Sequence, residues 1–176
     1  MAGPVAPRRV AGIDFSGARD AGKSIWIAEG TREGDGFRLA SCLPASALPD
    51  GAADRESALA ALVRYIAALG DAVVGIDVPF GLPEPLVVAD GWLDFVRRFA
   101  DRWTDAASFR AACCEAAGGR ELRRRCDAEA RTPFCAYNLR LHKQTWHGIA
   151  ELIAPLVLTG RAVAAPMQAT APGRPI

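Results

Sequence analysis

At 176 residues and 51% hydrophobic content, the chain has the size and apolar fraction of one globular domain able to bury a core. Lys and Arg number 21 against 20 Asp and Glu, a formal net charge of +1, which excludes a polycation and confines any nucleic-acid contact to a local patch. Five cysteines without a Cys-x-x-Cys pair argue against a zinc or disulfide framework and for reduced thiols in a cytoplasmic protein, the opening "MAGPVAPRRV" lacks the apolar stretch of a signal peptide, and no run reaches the roughly 18 apolar residues of a membrane span.

In chain order, "RRVAGIDFSG" (8–17) reads as a buried strand and "KSIWIAEG" (23–30) as a second, rich in β-favouring side chains. "TREGDG" (31–36) is a turn and "FRLASCLPA" (37–45) a third strand. "DRESALAALVRYIAALG" (54–70) is a helix: Leu59, Leu62, Val63, Ile66 and Leu69 recur at helical spacing and Gly70 stops it. "DAVVGIDVPFGLP" (71–83) is a fourth strand, apolar up to Asp77 and then broken by Pro79, Gly81 and Pro83. Helices are expected at about 90–101, 105–117, 119–130 and 140–158; Pro155 should kink the last or end it early, and the tail "APMQATAPGRPI" reads as loop.

"GARDAGKS" (17–24) fits the phosphate-loop pattern G-x-x-x-x-G-K-[ST]. That pattern binds phosphate only where a helix opens at the lysine, because the helix N-terminus supplies the amides and the dipole. Here Ile25, Trp26 and Ile27 lead straight into the turn "TREGDG", too short a stretch for such a helix. The expectation is a hairpin turn with Lys23 exposed.

Strand, strand, strand, helix, strand describes an antiparallel meander followed by a right-handed crossover to a parallel strand. If the fourth strand lands beside the first, Asp14 and Asp77 become neighbours across about 4.8 Å, each near the C-terminal end of an apolar strand. Two carboxylates so close repel unless a cation lies between them, and oxygen-only ligands suit Mg²⁺ or Mn²⁺. Such a site can activate water and stabilise charge on a phosphate during in-line displacement. A single Asp at a strand end is usually a cap or turn residue; two "GID" sequences, each followed by a break, are harder to assign that way.

Together "GIDFSGARDAGKSIWIAEG", "GIDVPFGLP" and "RRRCDAEARTPFCAYNLRLHKQTWHGI" resemble the domain-of-unknown-function 429 family (DUF429), described as predicted RNase H-like nucleases, over roughly residues 10 to 175. The resemblance implies an α/β ribonuclease H-like mixed sheet followed by helices. Asp14 matches the acid of the family's first strand, Asp77 that of its "DxP" strand, and Asp127 that of an "R-x-x-D-x-x-A-R" helix segment. It also implies a further strand and terminal helix past Ile176, so residues 1–176 are expected to form a single ribonuclease H-like domain that is C-terminally incomplete.

From Arg120 to Lys143 the chain carries seven positive and three negative residues. Arg120, Arg124 and Arg131 fall near one face of the expected helix, with Asp127 among them. That face is either a phosphate-contacting surface or a solvated helix with internal ion pairs. With Ser16 and Asn138, these arginines are the candidate substrate-binding residues; Asn138 is also a common turn residue. His142 and His147, five apart, do not share a helix face and read as satisfied or surface histidines. Trp92, Trp103, Trp146, Phe95 and Phe99 read as packing rather than base-stacking residues. The leading expectation is a metal-dependent nuclease or phosphodiester hydrolase in which Asp14 and Asp77 hold the metal, Asp127 is a possible third catalytic acid, and the partner is nucleic acid or a phosphorylated small molecule. The rivals are a nucleotide-binding phosphotransferase of the actin and sugar-kinase type and a binding domain without catalysis.

Overall fold

Alternating apolar residues in "RVAGID" make the first strand, β1 (Arg9–Asp14), with Ala11 and Ile13 buried on one face and Gly12 and Asp14 exposed on the other. In the computed structural model, which describes residues 9–169 and 173–176, β1 is an inner strand of a four-stranded sheet of order β3 (Gly36–Pro44), β2 (Trp26–Glu33), β1, β4 (Ala72–Ile76). The first residue of the strand expected over 8–17, the opening segment read for a signal peptide, and residues 170–172 of the tail lie outside the described residues. Two units are distinguished: one runs to Asp77 and resumes at Thr159, and the other is Val78–Leu158.

In the sheet unit, β1 pairs antiparallel with β2 (Trp26–Glu33), which pairs antiparallel with β3 (Gly36–Pro44). The hairpin is longer than expected, because β2 runs on to Glu33 and only Gly34 and Asp35 turn. Gly34 takes φ 59°, a conformation glycine adopts without steric cost. A bulge shifts the register, so that Glu29 faces Ser41 but Gly30 faces Leu39.

α2 (Arg55–Ala68) starts at Asp54, whose side chain accepts from the Ser57 amide at 2.9 Å, and is followed by Gly70 at φ 67°. Its stripe of Leu59, Leu62, Val63 and Ile66 is buried. The crossover then returns the chain in β4 (Ala72–Ile76), parallel to β1, with Gly12 opposite Gly75 and Ile13 opposite Ile76. On the face toward α2, Ala11, Leu69 and Ala72 pack with Tyr65 and Val74. Glu29 accepts from Tyr65 Oη at 2.6 Å and from the Arg9 guanidinium, tying β1, β2 and α2 together. On the outer edge of β4, Ile176 N donates to Ala72 O at 3.0 Å and Val74 N to Ile176 O at 2.7 Å, the bonding of a parallel bridge around Val73.

The segment Lys23–Ser24 departs from its expected strand. Ala21–Ser24 forms a single helical turn, α1, closed by Ile25 N donating to Ala21 O at 2.7 Å; Ile25 is then extended and fully buried, and β2 begins at Trp26.

In the helical unit, α3 (Trp92–Arg102) and α4 (Ala106–Ala116) bury an aromatic cluster: Phe99 lies 5.1 Å from Trp103, 5.4 Å from Phe95 and 5.4 Å from Phe109, ring centre to ring centre. The helix expected over 119–130 shrinks to α5 (Arg125–Glu129). Gly118 and Gly119 have φ of 60° and 76°, and the buried Tyr137 takes the backbone bonds a helix would have used. Its hydroxyl accepts from Leu122 N at 2.6 Å and donates to Arg120 O at 2.7 Å. The final helix is continuous through α6 (His142–His147), a six-residue π-helical stretch (Gly148–Ile153) and α7 (Ala154–Leu158). Pro155 therefore neither ends the helix nor breaks it early. Its ring would crowd the carbonyl four residues back, and the wider π turn immediately before it relieves that clash. Among the described residues no helix is long and apolar enough to cross a membrane.

Candidate functional site

Two rows of residues cross the open face of the sheet. In the first, Cys42 faces Ala28, Ala28 faces Gly12 and Gly12 faces Gly75, so four adjacent strands contribute small side chains or none. A Cβ added at Gly12 or at Gly75 would meet no described residue within 4 Å. In the second row, one step further along β1, Pro44 faces Trp26 and Trp26 faces Asp14. Asp77 extends this row onto the fourth strand: it follows the Ile13–Ile76 pair, and its amide donates to Ile13 O at 3.0 Å. The rows line a cleft of about 470 Å³.

Asp14 and Asp77 are both exposed and both line this cleft. The parallel register is the reason: equal positions on adjacent parallel strands point to the same side of the sheet. Among the described residues no group of three or more His, Cys, Asp or Glu converges as a metal site. The pair alone matches how Mg²⁺ is commonly held, by one or two carboxylates with waters and substrate oxygens completing the shell.

Ser16 lies in the loop after β1, and its hydroxyl accepts from Ala18 N at 3.3 Å. Among the residues that match the phosphate-loop pattern, Gly22 is committed to internal packing. Gly22 is buried, its amide donates to Ala53 O at 3.0 Å, and a Cβ there would collide with the Ala52 carbonyl. Glycine at this position permits close chain packing, and its amide is spent inside the protein. Lys23 is exposed.

No family model, no curated protein and no solved structure matches the chain.

The remaining candidates belong to the helical unit. Asp127 is buried at 5% exposure, and its carboxylate accepts from Arg124 Nε at 2.8 Å, Arg124 Nη2 at 2.7 Å and Arg124 N at 3.1 Å. Those Arg124 hydrogen bonds, against the opposing effect of burial, hold the Asp127 carboxyl below the usual range. Arg124 and Asp127 thus act on each other at the start of α5. Arg120 and Arg131 are exposed, and Arg131 follows α5 with φ 54°. Asn138 closes a turn: its side-chain oxygen accepts from Arg140 N at 2.8 Å while its amide group donates to Glu121.

Both histidines are buried and partnered, His142 Nδ1 with Leu139 O at 2.9 Å and His147 Nδ1 with Glu151 Oε2 at 2.9 Å. Burial pushes the Cys113 thiol up to about 12, which removes it as a nucleophile near neutral pH. Trp103 and Trp146 are buried, and Trp92 donates its indole N–H to Phe80 O at 2.7 Å. The exposed tryptophan is Trp26, at 46%, in the row of the two acids. Sequence reasoning took it only as a strand former. The available signal was that Trp26 and Ala28 alternate with the buried Ile25 and Ile27, which puts them on the face opposite the core.

Proposed function

We propose that this protein is a metal-dependent phosphodiester hydrolase of ribonuclease H-like fold, a DUF429-type nuclease, with Asp14 and Asp77 as the ligands of Mg²⁺ or Mn²⁺. The observation that carries the reading is that the chain's two "GID" acids stand side by side at the ends of adjacent parallel strands and line one cleft. The strand order and the Ile176 bridge on the β4 edge agree with the layout that fold would have.

A divalent cation held there would supply charge neutralisation at a phosphate and a lowered pKa for an attacking water. The chain's own part is to place two hard oxygen donors in a cleft open enough to admit a phosphodiester. Arg120 and Arg131 are exposed in the helical unit, and their guanidinium groups are suited to contact phosphate. Asp127 is the candidate third acid, and its carboxylate is engaged by Arg124. The chemistry implies nucleic acid or a phosphorylated small molecule as partner and, with its free thiols, a cytoplasmic protein.

The phosphotransferase alternative needs amides of the glycine turn to cradle phosphates, and the Gly22 amide is already bonded to Ala53 O.

A calorimetric Mn²⁺ titration of the wild-type chain against Asp14→Asn/Asp77→Asn tests the assignment. Saturable binding in the wild type that disappears in the double variant is expected. No binding in the wild type, or equal binding in both, would overturn the metal site.

A further inference from the structure

The two rows across the sheet differ in height as well as in chemistry. Isolated exposed apolar residues are ordinary on protein surfaces. Trp26 differs from Phe37 and Leu39, which are also exposed, because it lines the cleft and is the direct register partner of Asp14. Beside it the floor drops away: Ala28, Gly12 and Gly75 follow one another across three strands, and the two glycines leave the backbone uncovered. The result is a shallow, wide-open slot with an indole and two carboxylates along one side and an uncovered floor beside them.

We infer that this slot is a subsite for an unstacked nucleobase, held against Trp26 while the phosphate of the same nucleotide lies at Asp14 and Asp77. The inference rests on the hydrolase reading and names its substrate class. An aromatic wall recognises a flat ring by stacking, and does so whichever base is offered. The carboxylates beside it select a ring joined to a group that a cation can bridge to them, which a phosphate is and a plain hydrocarbon is not. Trp26 and Asp14 lie directly opposite on adjacent strands, about 5 Å apart at Cα, so one small ligand can meet both side chains. A base inside a duplex offers no free face to an indole, so the substrate must be single-stranded, frayed or monomeric at the cleaved position.

The test uses the whole chain carrying Asp14→Asn/Asp77→Asn, without divalent metal, so that no carboxylate repels the nucleotide's phosphate and the result does not depend on the acid pair. Trp26→Phe identifies the Trp26 indole resonance in a nitrogen-15 correlation spectrum. Titration with adenosine 5′-monophosphate is expected to move that resonance saturably. Ribose 5-phosphate and a blunt duplex are expected to leave it in place. Filling the floor with Gly75→Val should abolish the shift, and Trp26→Ala, which removes the reporting resonance and is therefore followed by calorimetry, should weaken the nucleotide by between about 5-fold and about 150-fold. A tetranucleotide that displaces the monophosphate at lower concentration would make a strand the natural source of the base; a weaker one would make it the free nucleotide. A Trp26 resonance unmoved by the monophosphate, or moved equally by ribose 5-phosphate, would overturn the subsite. The Mn²⁺ titration on Asp14 and Asp77 reports separately, so failure of the base subsite and failure of the metal site are distinguishable.

Discussion

The two faces of the sheet are built from alternate residues of the same strands and have opposite characters. Toward α2, Ala11, Ile13 and Ile27 are buried, and the polar groups that intrude are matched: Glu29 holds Tyr65 and Arg9. On the other face Gly12, Asp14, Trp26 and Gly75 are exposed, and the glycine positions have no described residue over them. The strand period of two separates these jobs completely, so a residue and its immediate neighbour can serve stability and chemistry independently.

The sharpest way to break the comparison is to change adjacent residues of β1. Ile13→Ala, on the packed face, should cost about 2–5 kcal/mol in urea unfolding by leaving a cavity. Asp14→Asn, one residue on, should stay within about 0.5 kcal/mol of wild type while removing Mn²⁺ binding. Equal destabilisation by the two would mean that Asp14 is a structural residue and that the faces are not divided as described.

A smaller effect tests the polar network of the packed face. Tyr65→Phe deletes the 2.6 Å bond to Glu29 and should cost about 1 kcal/mol at neutral pH. Burial raises the Glu29 carboxyl, but the hydrogen bonds from Tyr65 and Arg9 and the Arg9 charge outweigh it and carry it below its ordinary value. A carboxyl depressed in the folded state adds stability above its unfolded pKa and loses it as pH falls through the folded one. The penalty of Tyr65→Phe should therefore be full at neutral pH and shrink below about pH 4, read as melting temperature against pH for the two proteins. A penalty that grows on acidification would contradict the network.

Smallest of all should be Gly75→Ala. No described residue lies within 4 Å of the new methyl, and alanine restricts the unfolded chain more than glycine, so stability should hold or rise by a few tenths of a kcal/mol. A fall of the size seen for Ile13→Ala would show that the glycine floor is covered.

How much of this was legible in the residues follows from the range of the forces involved. The alternation in "RVAGID" and "WIAEG" and the stripe of α2 come from local periodicity, so the three strands, the helix and the return strand could be read directly. The pairing of Asp14 with Asp77 could be anticipated on the condition that β4 lands beside β1, because both acids end short apolar strands and α2 crosses over from β3 to return the chain parallel to β1. Other features depended on partners far along the chain. Nothing in "GGRELRRR" says that Tyr137 takes its backbone bonds and leaves only Arg125–Glu129 helical. "GARDAGKS" satisfies a phosphate-binding pattern, and only the close approach of Ala52 and Ala53 shows where the Gly22 amide goes. Trp26 was read for its β propensity; its place beside Asp14 is a matter of register.

By itself, then, the sequence determined the order of strands and helices and the two acids that end matching strands, because hydrophobic period and turn chemistry act over a few residues. Tertiary structure alone decided that Cys42, Ala28, Gly12 and Gly75 form one floor, that Trp26 walls it, and that Asp127 is held by Arg124. Which side chains meet across a sheet is set by inter-strand registers, and how firmly a carboxylate is held by its partners depends on burial that only the folded chain provides.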